Sequence, residues 1–198
     1  MTMGRPKTPL IHRAEVAAQA LKIIDADGVE ALNIRRLAKD LGVSGAALYY
    51  HYADKAGIFD DVARLVLNRI ELPELVPGRD WLAYHVELVV AYYEALSAHP
   101  RATPLMLNAQ PRSTRTRMSE TLLAYYREAG LDREAGEWVM KNIEAYVIGL
   151  VLLETADGTG RPGRERDTQK VRVLVRRFLQ VLLAEALLAE SGAMAADD

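Results

Sequence analysis

The sequence predicts an all-α protein: an N-terminal three-helix helix-turn-helix domain followed by a larger C-terminal helical half. Three observations carry this. Apolar residues recur at i, i+3, i+4 and i+7, the spacing that lines one face of a helix. Strand-like alternation is missing almost throughout. Helix stops, at Gly28, Gly42, His99-Pro100, Pro111 and Gly130, fall between the periodic runs rather than inside them.

Taken in order, a first helix is expected from about Leu10 to Asp27, with Ala17, Ala20, Leu21 and Ile24 inward and Gly28 ending it. Ile34, Leu37, Ala38 and Leu41 form the stripe of a short second helix, capped by Asn33 and stopped by Gly42 in the left-handed conformation. Val43 anchors the turn, and Ser44 caps a third helix from Gly45 to about His51 whose buried side is Leu48 with part of Tyr52. Asp54 caps a helix from Lys55 to about Glu71. Pro73, Pro77 and Gly78 mark a break across Leu72–Arg79. Helices are then expected over Trp81–Ala98, Arg101–Asn108 and Ser113–Ala129, after an Asp132 cap through Glu154, and over Arg166–Glu190. Ala156–Arg166 reads as a mobile loop, and Ser191–Asp198 as a disordered tail.

The helix from Gly45 to His51 has one or two large apolar groups to fix it, so its outer face is free for a partner. Tyr49, His51 and Lys55 would line one side of it, and these donor types suit a sugar-phosphate backbone. The first thirteen residues hold Arg5, Lys7 and Arg13 with no acid, the composition of an arm that reaches phosphates or a minor groove. Residues 1–55 carry eight Lys/Arg against six Asp/Glu, while the whole chain has a net charge of −2. Positive charge is therefore local, and non-specific affinity for nucleic acid should be modest.

From Gly28 through Phe59 the chain reads G-x-x-A-L-x-x-R-x-L-A-x-x-L-G-V-S-x-x-x-L-Y-x-H-Y-x-x-K-x-x-I-F. This string resembles the reading head of the tetracycline-repressor (TetR) family of bacterial transcription regulators. The resemblance implies a ligand-responsive regulator, most simply a repressor released from a double-stranded DNA operator by a small apolar inducer. It implies that Arg35 reaches a base edge or phosphate, and that Ser44, Gly45, Ala46 and Ala47 open the recognition helix. Tyr49 and His51 would grip phosphates, Lys55 would face the backbone, and Leu48 and Tyr52 would pack. Tyr50 could serve either purpose; Asn33 and Arg36 complete the set of DNA-facing residues. Gly45-Ala46-Ala47 departs from members with polar or bulky groups there. Such residues make no bidentate hydrogen bonds, so specificity would lean on Arg35, Arg36, the arm and DNA shape.

The order of elements after Asp80-Trp81 resembles the ligand-binding half of tetracycline repressors. That implies a cavity among segments bearing His85, Tyr92, Met106, Asn108, Gln110, Trp138, Asn142 and Tyr146, mostly apolar with a few polar groups. Met106 stands where those repressors have a metal-ligating histidine, so a magnesium–tetracycline complex is not the expected ligand. Neither a metal nor a cofactor is expected.

Trp138–Leu153 and Arg166–Glu190 are apolar on more than one side. A second copy of the chain is the expected cover, two helices from each forming a four-helix interface. The division is therefore expected as 1–56 for DNA reading and 57–198 for ligand binding and dimerisation. The chain has no cysteine for disulfide or thiolate chemistry and no run of eighteen apolar residues, so a cytoplasmic protein without a membrane partner is expected. Its four histidines are scattered, with no HExxH, GxSxG, GxGxxG or phosphate loop, and an enzyme is not expected. Asp60-Asp61 reads as a solvated pair. The competing reading is a helical interaction module that uses the helix-turn-helix for packing alone.

Overall fold

The computed structural model describes residues 12–70, 80–108, 112–156 and 168–196, and every regular element among them is helical. The N-terminal head consists of α1 (Arg13–Asp27), α2 (Ile34–Leu41), α3 (Gly45–His51) and α4 (Lys55–Leu67), with a 3-10 turn at Val29–Ala31. The core consists of α5 (Trp81–Ala98), a 3-10 turn at Pro100–Ala102, α6 (Leu105–Asn108), α7 (Arg112–Glu128), α8 (Arg133–Ala156) and α9 (Thr168–Ala196).

In the head, α1 lies chiefly against α4 and secondarily against α2. Val16, Ala20 and Ile24 of α1 meet Leu37 of α2, Leu48 of α3 and Ile58, Val62 and Val66 of α4, all fully buried. Side chains of this size contribute about 1.5–3 kcal/mol each when removed from water. The turn between α2 and α3 depends on Gly42, whose φ of 68° is left-handed and whose N–H donates to Ala38 and Lys39 carbonyls. In the core, α5 packs on α8 and α9, and α7 packs on α8. Gly136 permits that last contact: a Cβ there would stand 2.9 Å from Leu123 and 3.0 Å from Tyr126.

The expected Arg101–Asn108 helix is split, because the turn at Thr103-Pro104 separates the 3-10 turn at Pro100–Ala102 from α6; four further expectations need correction. α1 begins at Arg13, because His12 has extended backbone and serves as its N-cap. α4 stops at Leu67, where Asn68 and Arg69 turn the chain. α9 does not end at Glu190; its backbone stays helical through Ala196.

The fourth correction concerns charge. Asp61 is not solvated: it is 5% exposed, on the side of α4 that meets α1. Its Oδ2 accepts from Arg13 Nε at 2.7 Å and from the Tyr52 hydroxyl at 2.7 Å, and its Oδ1 accepts from Arg64 at 2.8 Å. Arg13 also lies 4.7 Å from the centre of the Tyr52 ring. It is thus part of the folded head and not of a free arm; residues 1–11, with Arg5 and Lys7, are outside the described residues. Burial and the neighbouring Asp61 carboxylate raise the Tyr52 hydroxyl's pKa, so it stays protonated and donates.

Removing the shared acceptor leaves a buried hydroxyl and two guanidinium groups without their partner. Asp61→Ala should therefore destabilise the chain by about 2–3 kcal/mol in urea unfolding, and Tyr52→Phe by about 1 kcal/mol. Equal stability of Asp61→Ala and the parent would show that the network holds nothing.

Candidate nucleic-acid interface and effector cavity

The helix-turn-helix is built by its caps. The Asn33 side chain accepts from Arg36 N at 2.9 Å, Ser44 Oγ from Ala47 N at 3.1 Å and Asp54 Oδ1 from Gly57 N at 3.1 Å. Three successive helices so start where a short polar side chain can satisfy their free amides. Only Leu48 of α3 is fully buried. Tyr52, directly after it, is 2% exposed and tied to Asp61, so one leucine and one tyrosine hold the helix down.

The rest of α3 faces outward. Tyr49 is 58% and Tyr50 87% exposed, and Ala46 and His51 are exposed as well. Tyr50 and His51 meet edge to face at 5.3 Å. Gly45 rests over Ile34, where a Cβ would come 3.9 Å from that side chain, and Ala47 is half-buried. Arg35 is exposed on α2, and no ion pair among the described residues engages it. Arg36 lies 2.6 Å from Asp27. Lys55 folds back so that its Nζ is 4.9 Å from the Phe59 ring centre. Surface pairings of this kind are weak, so both cations can be redirected to a phosphate. Asn33 is spent as a cap. Of the predicted residues, Arg35 on α2, Ser44 at the start of α3, and Ala46, Tyr49, Tyr50 and His51 along it are exposed.

The core holds a half-open cavity of about 510 Å³ between α5, α6, α7 and α8. Its lining is mostly apolar, with Leu88, Val89, Met106, Leu122, Ile143 and Ile148 among the walls and Leu67 contributed by the last turn of α4. Glu137, Lys141, Glu144 and Ser119 supply the polar part. His85 is 2% exposed, and the Tyr126 hydroxyl stands 3.0 Å from its Nδ1. Burial with no countercharge pulls the His85 pKa down to about 3 and raises that of Tyr126. A neutral imidazole and a neutral phenol therefore share one hydrogen bond at the cavity wall.

Of the predicted ligand residues, His85, Tyr92 and Met106 line this cavity. Trp138, Asn142 and Tyr146 do not. Trp138 is 45% exposed and lines a separate groove with Glu134, Glu185 and Ala186. Asn142 donates to the Trp138 carbonyl one turn back at 2.8 Å, and Tyr146 lies against Phe178 of α9 at 4.8 Å. The Asn108 side chain and Gln110 are outside the described residues. The missed lining residues Glu137, Lys141, Glu144 and Ile148 share one face of α8, while residues 138, 142 and 146 share another. Helical phase counted from His85 through Leu88, Val89 and Tyr92 was the usable signal on α5; polarity within α8 was a poor guide.

Comparison with known proteins bears on both parts. Residues 17–62 match the family model described as bacterial regulatory proteins, tetR family, and residues 72–195 match the tetracyclin repressor-like C-terminal domain. The chain belongs to the TetR family. It is 25% identical over 178 residues to the class D tetracycline repressor protein of Escherichia coli, covering 87% of this chain and 80% of that one. Among solved structures it resembles the Streptomyces coelicolor TetR family protein ActR in complex with actinorhodin, with a TM-score of 0.73 and 25% identity, covering 92% and 99% of the two chains. It also resembles BioQ with its natural double-stranded DNA operator, with a TM-score of 0.69 and 25% identity over 88% and 99% of the chains. This TetR family chain thus shares its fold, head and core together, with a DNA-bound and a ligand-bound relative.

The depressed His85 pKa has a consequence for stability. The unfolded chain takes up a proton near pH 6.5 that the folded chain refuses until about pH 3. Stability from this group is present above pH 6.5 and is lost as pH falls toward 3, with a slope of at most about 1.4 kcal/mol per pH unit. His85→Gln, which keeps a hydrogen-bond partner for Tyr126 but does not titrate, should flatten the fall in urea-unfolding stability between pH 6.5 and pH 4. An unchanged pH profile would mean that His85 is not held neutral.

Proposed function

We propose that the chain is a transcriptional regulator that binds a double-stranded DNA operator through α3 and is released when a small, largely apolar effector fills the core cavity. The single observation that carries DNA reading is α3 itself, a short helix pinned by Leu48 and Tyr52 with the rest of its surface offered to solvent. Such a helix can enter the major groove without disturbing its own support. Arg35 supplies the fork suited to a guanine edge or phosphate, with Tyr49, His51 and Lys55 supporting it on the backbone.

Response to an effector is supported by α4. Its first half packs in the head, and its last residue, Leu67, is part of the cavity wall. An occupant that prefers one position of α4 biases the head by its differential affinity. Residues 1–56 would supply the DNA contacts and residues 57–198 the effector and partner contacts, with α4 (Lys55–Leu67) spanning that boundary and completing the packing of the head. The partner is a second copy. Leu153, Val181 and Leu188 on α8 and α9 are 69%, 59% and 67% exposed, apolar area that a four-helix interface would cover. Two heads on one dimer read half-sites on one face of the duplex. Among the described residues no helix is long and apolar enough to cross a membrane. The relatives are regulators rather than enzymes, and with DNA as its partner the chain works in the cytoplasm.

An operator can be obtained by selecting duplexes from a randomised library with the full chain, and its affinity read by mobility shift over a salt series. Affinity should fall steeply with salt. Arg35→Ala should weaken binding about tenfold or more and relax specificity, and Lys55→Ala should lower the salt slope by about one. Arg127→Ala, a charge change on the far helix α7, should leave binding unchanged. Failure to enrich any duplex, or equal loss in all three variants, would contradict the proposal. A thermal-shift screen of small apolar compounds identifies effectors; one that binds the cavity and leaves duplex affinity unchanged would rule out the coupling.

A further inference from the structure

The C-terminal end of α1 is built against its own local interest. Its last turn holds Asp25 and Asp27 and no base, at the end of the helix where the aligned peptide dipoles are already negative. The Asp25 and Ala26 carbonyls also belong to the last four of the helix and have no partner further along it. Within the head, Arg36 answers Asp27 at 2.6 Å. The other groups are answered from the core. Arg101, in the 3-10 turn after α5, donates to the carbonyls of both Asp25 and Ala26. His99, one residue before that turn, has its Nδ1 2.7 Å from Asp25 Oδ2. Arg69, just beyond α4, stands 2.7 Å from His99 Nε2.

These contacts have one consistent proton arrangement. A guanidinium only donates, so Nε2 accepts from Arg69 and the ring proton sits on Nδ1, donating to Asp25. Asp25, His99 and Arg69 then form one chain joining α1, the α5 corner and the exit of α4. The corner itself leads into the cavity: four residues after Arg101 begins α6, whose Met106 and Leu107 line it. Beside the joint lies a cleft of about 590 Å³ with head residues Val29, Glu30 and Phe59 on one side and Arg101, Pro104 and Leu105 on the other. The head is gripped at a point and has space next to it.

We infer that Arg101 and His99 are positioning residues for operator binding: they hold the C-terminal end of α1 and set where the head stands on the core. This rests on the reading of α3 as a DNA-binding helix and extends it with a second joint beside α4. A cavity occupant that shifts Met106 and Leu107 acts on this grip directly, through the few residues that separate α6 from Arg101. Neither residue touches DNA.

The test uses the full chain and has two readouts. The sequence has no cysteine, so Lys22→Cys on α1 and Glu128→Cys on α7, both exposed, give a unique spin-label pair. Labelled chain is diluted into excess unlabelled chain so that distances within one protomer are read. Arg101→Ala and the pair His99→Ala, Arg101→Ala should broaden or shift the head-to-core distance, while helix content by circular dichroism is retained. On a duplex selected from a randomised library, Arg101→Ala should lose about tenfold or more in affinity with the salt slope unchanged. Lys55→Ala should lower the slope, as a lost phosphate contact must. Arg101→Lys, which keeps a cation at the helix end, should recover part of both readouts. An unchanged distance distribution would overturn the inference, and so would an affinity loss accompanied by a smaller salt slope, which would make Arg101 a phosphate contact. If the parent chain selects no duplex, the DNA-binding reading fails while the distance measurement still decides whether the grip holds the head.

Discussion

The head depends on one buried carboxylate. Asp61 accepts from Arg13 at the start of α1, from Tyr52 at the end of α3 and from Arg64 on its own helix, so three of the four head helices meet at a single side chain. A lone carboxylate in that position would carry a heavy desolvation cost, and it is tolerated because three donors surround it. The arrangement solves a problem of the motif. A helix that must show most of its surface to DNA has little area left for packing, and α3 has Leu48 alone as a fully buried residue. Tethering Tyr52 to Asp61 supplies direction where apolar area cannot.

The core shows the opposite strategy. Its cavity walls are apolar, and its deepest polar pair, His85 with Tyr126, is kept neutral by burial and satisfied internally. Charge is held at the α8 side, on Glu137, Lys141 and Glu144. Such a cavity favours a ligand with an uncharged, largely apolar body. Leu67 and the α5 corner place its walls one step from the head, by α4 on one side and by α1 on the other.

How much of this was legible in the sequence follows from the range of each interaction. Helix caps are local, and Asn33, Ser44, Asp54 and Asp132 could be read directly from their positions before periodic runs. The Gly28–Phe59 pattern carried the motif, since its turn and its apolar spacing lie within a few residues. Asp61 was misread because nothing near it in sequence shows that α1 will cover that side of α4; its partner Arg13 is 48 residues away. The same limit hid Asp25, whose partners His99 and Arg101 lie across the fold. On α8 the error was one of phase: Trp138, Asn142 and Tyr146 are the conspicuous side chains, but the cavity takes the face of Glu137, Lys141 and Glu144. Helix ends at Leu67 and Ala196 depended on packing and on weak propensities that the pattern did not resolve.

In the proposed dimer α3 enters a major groove twice, once from each protomer. Dimethyl sulfate protection of a selected duplex reads this directly, because the reagent methylates guanine N7 in that groove. Two protected clusters on one face of the duplex, separated by one helical turn or a whole multiple of it, are the predicted result. A single cluster, or guanine N7 left open throughout a duplex that the chain has bound, would contradict this geometry.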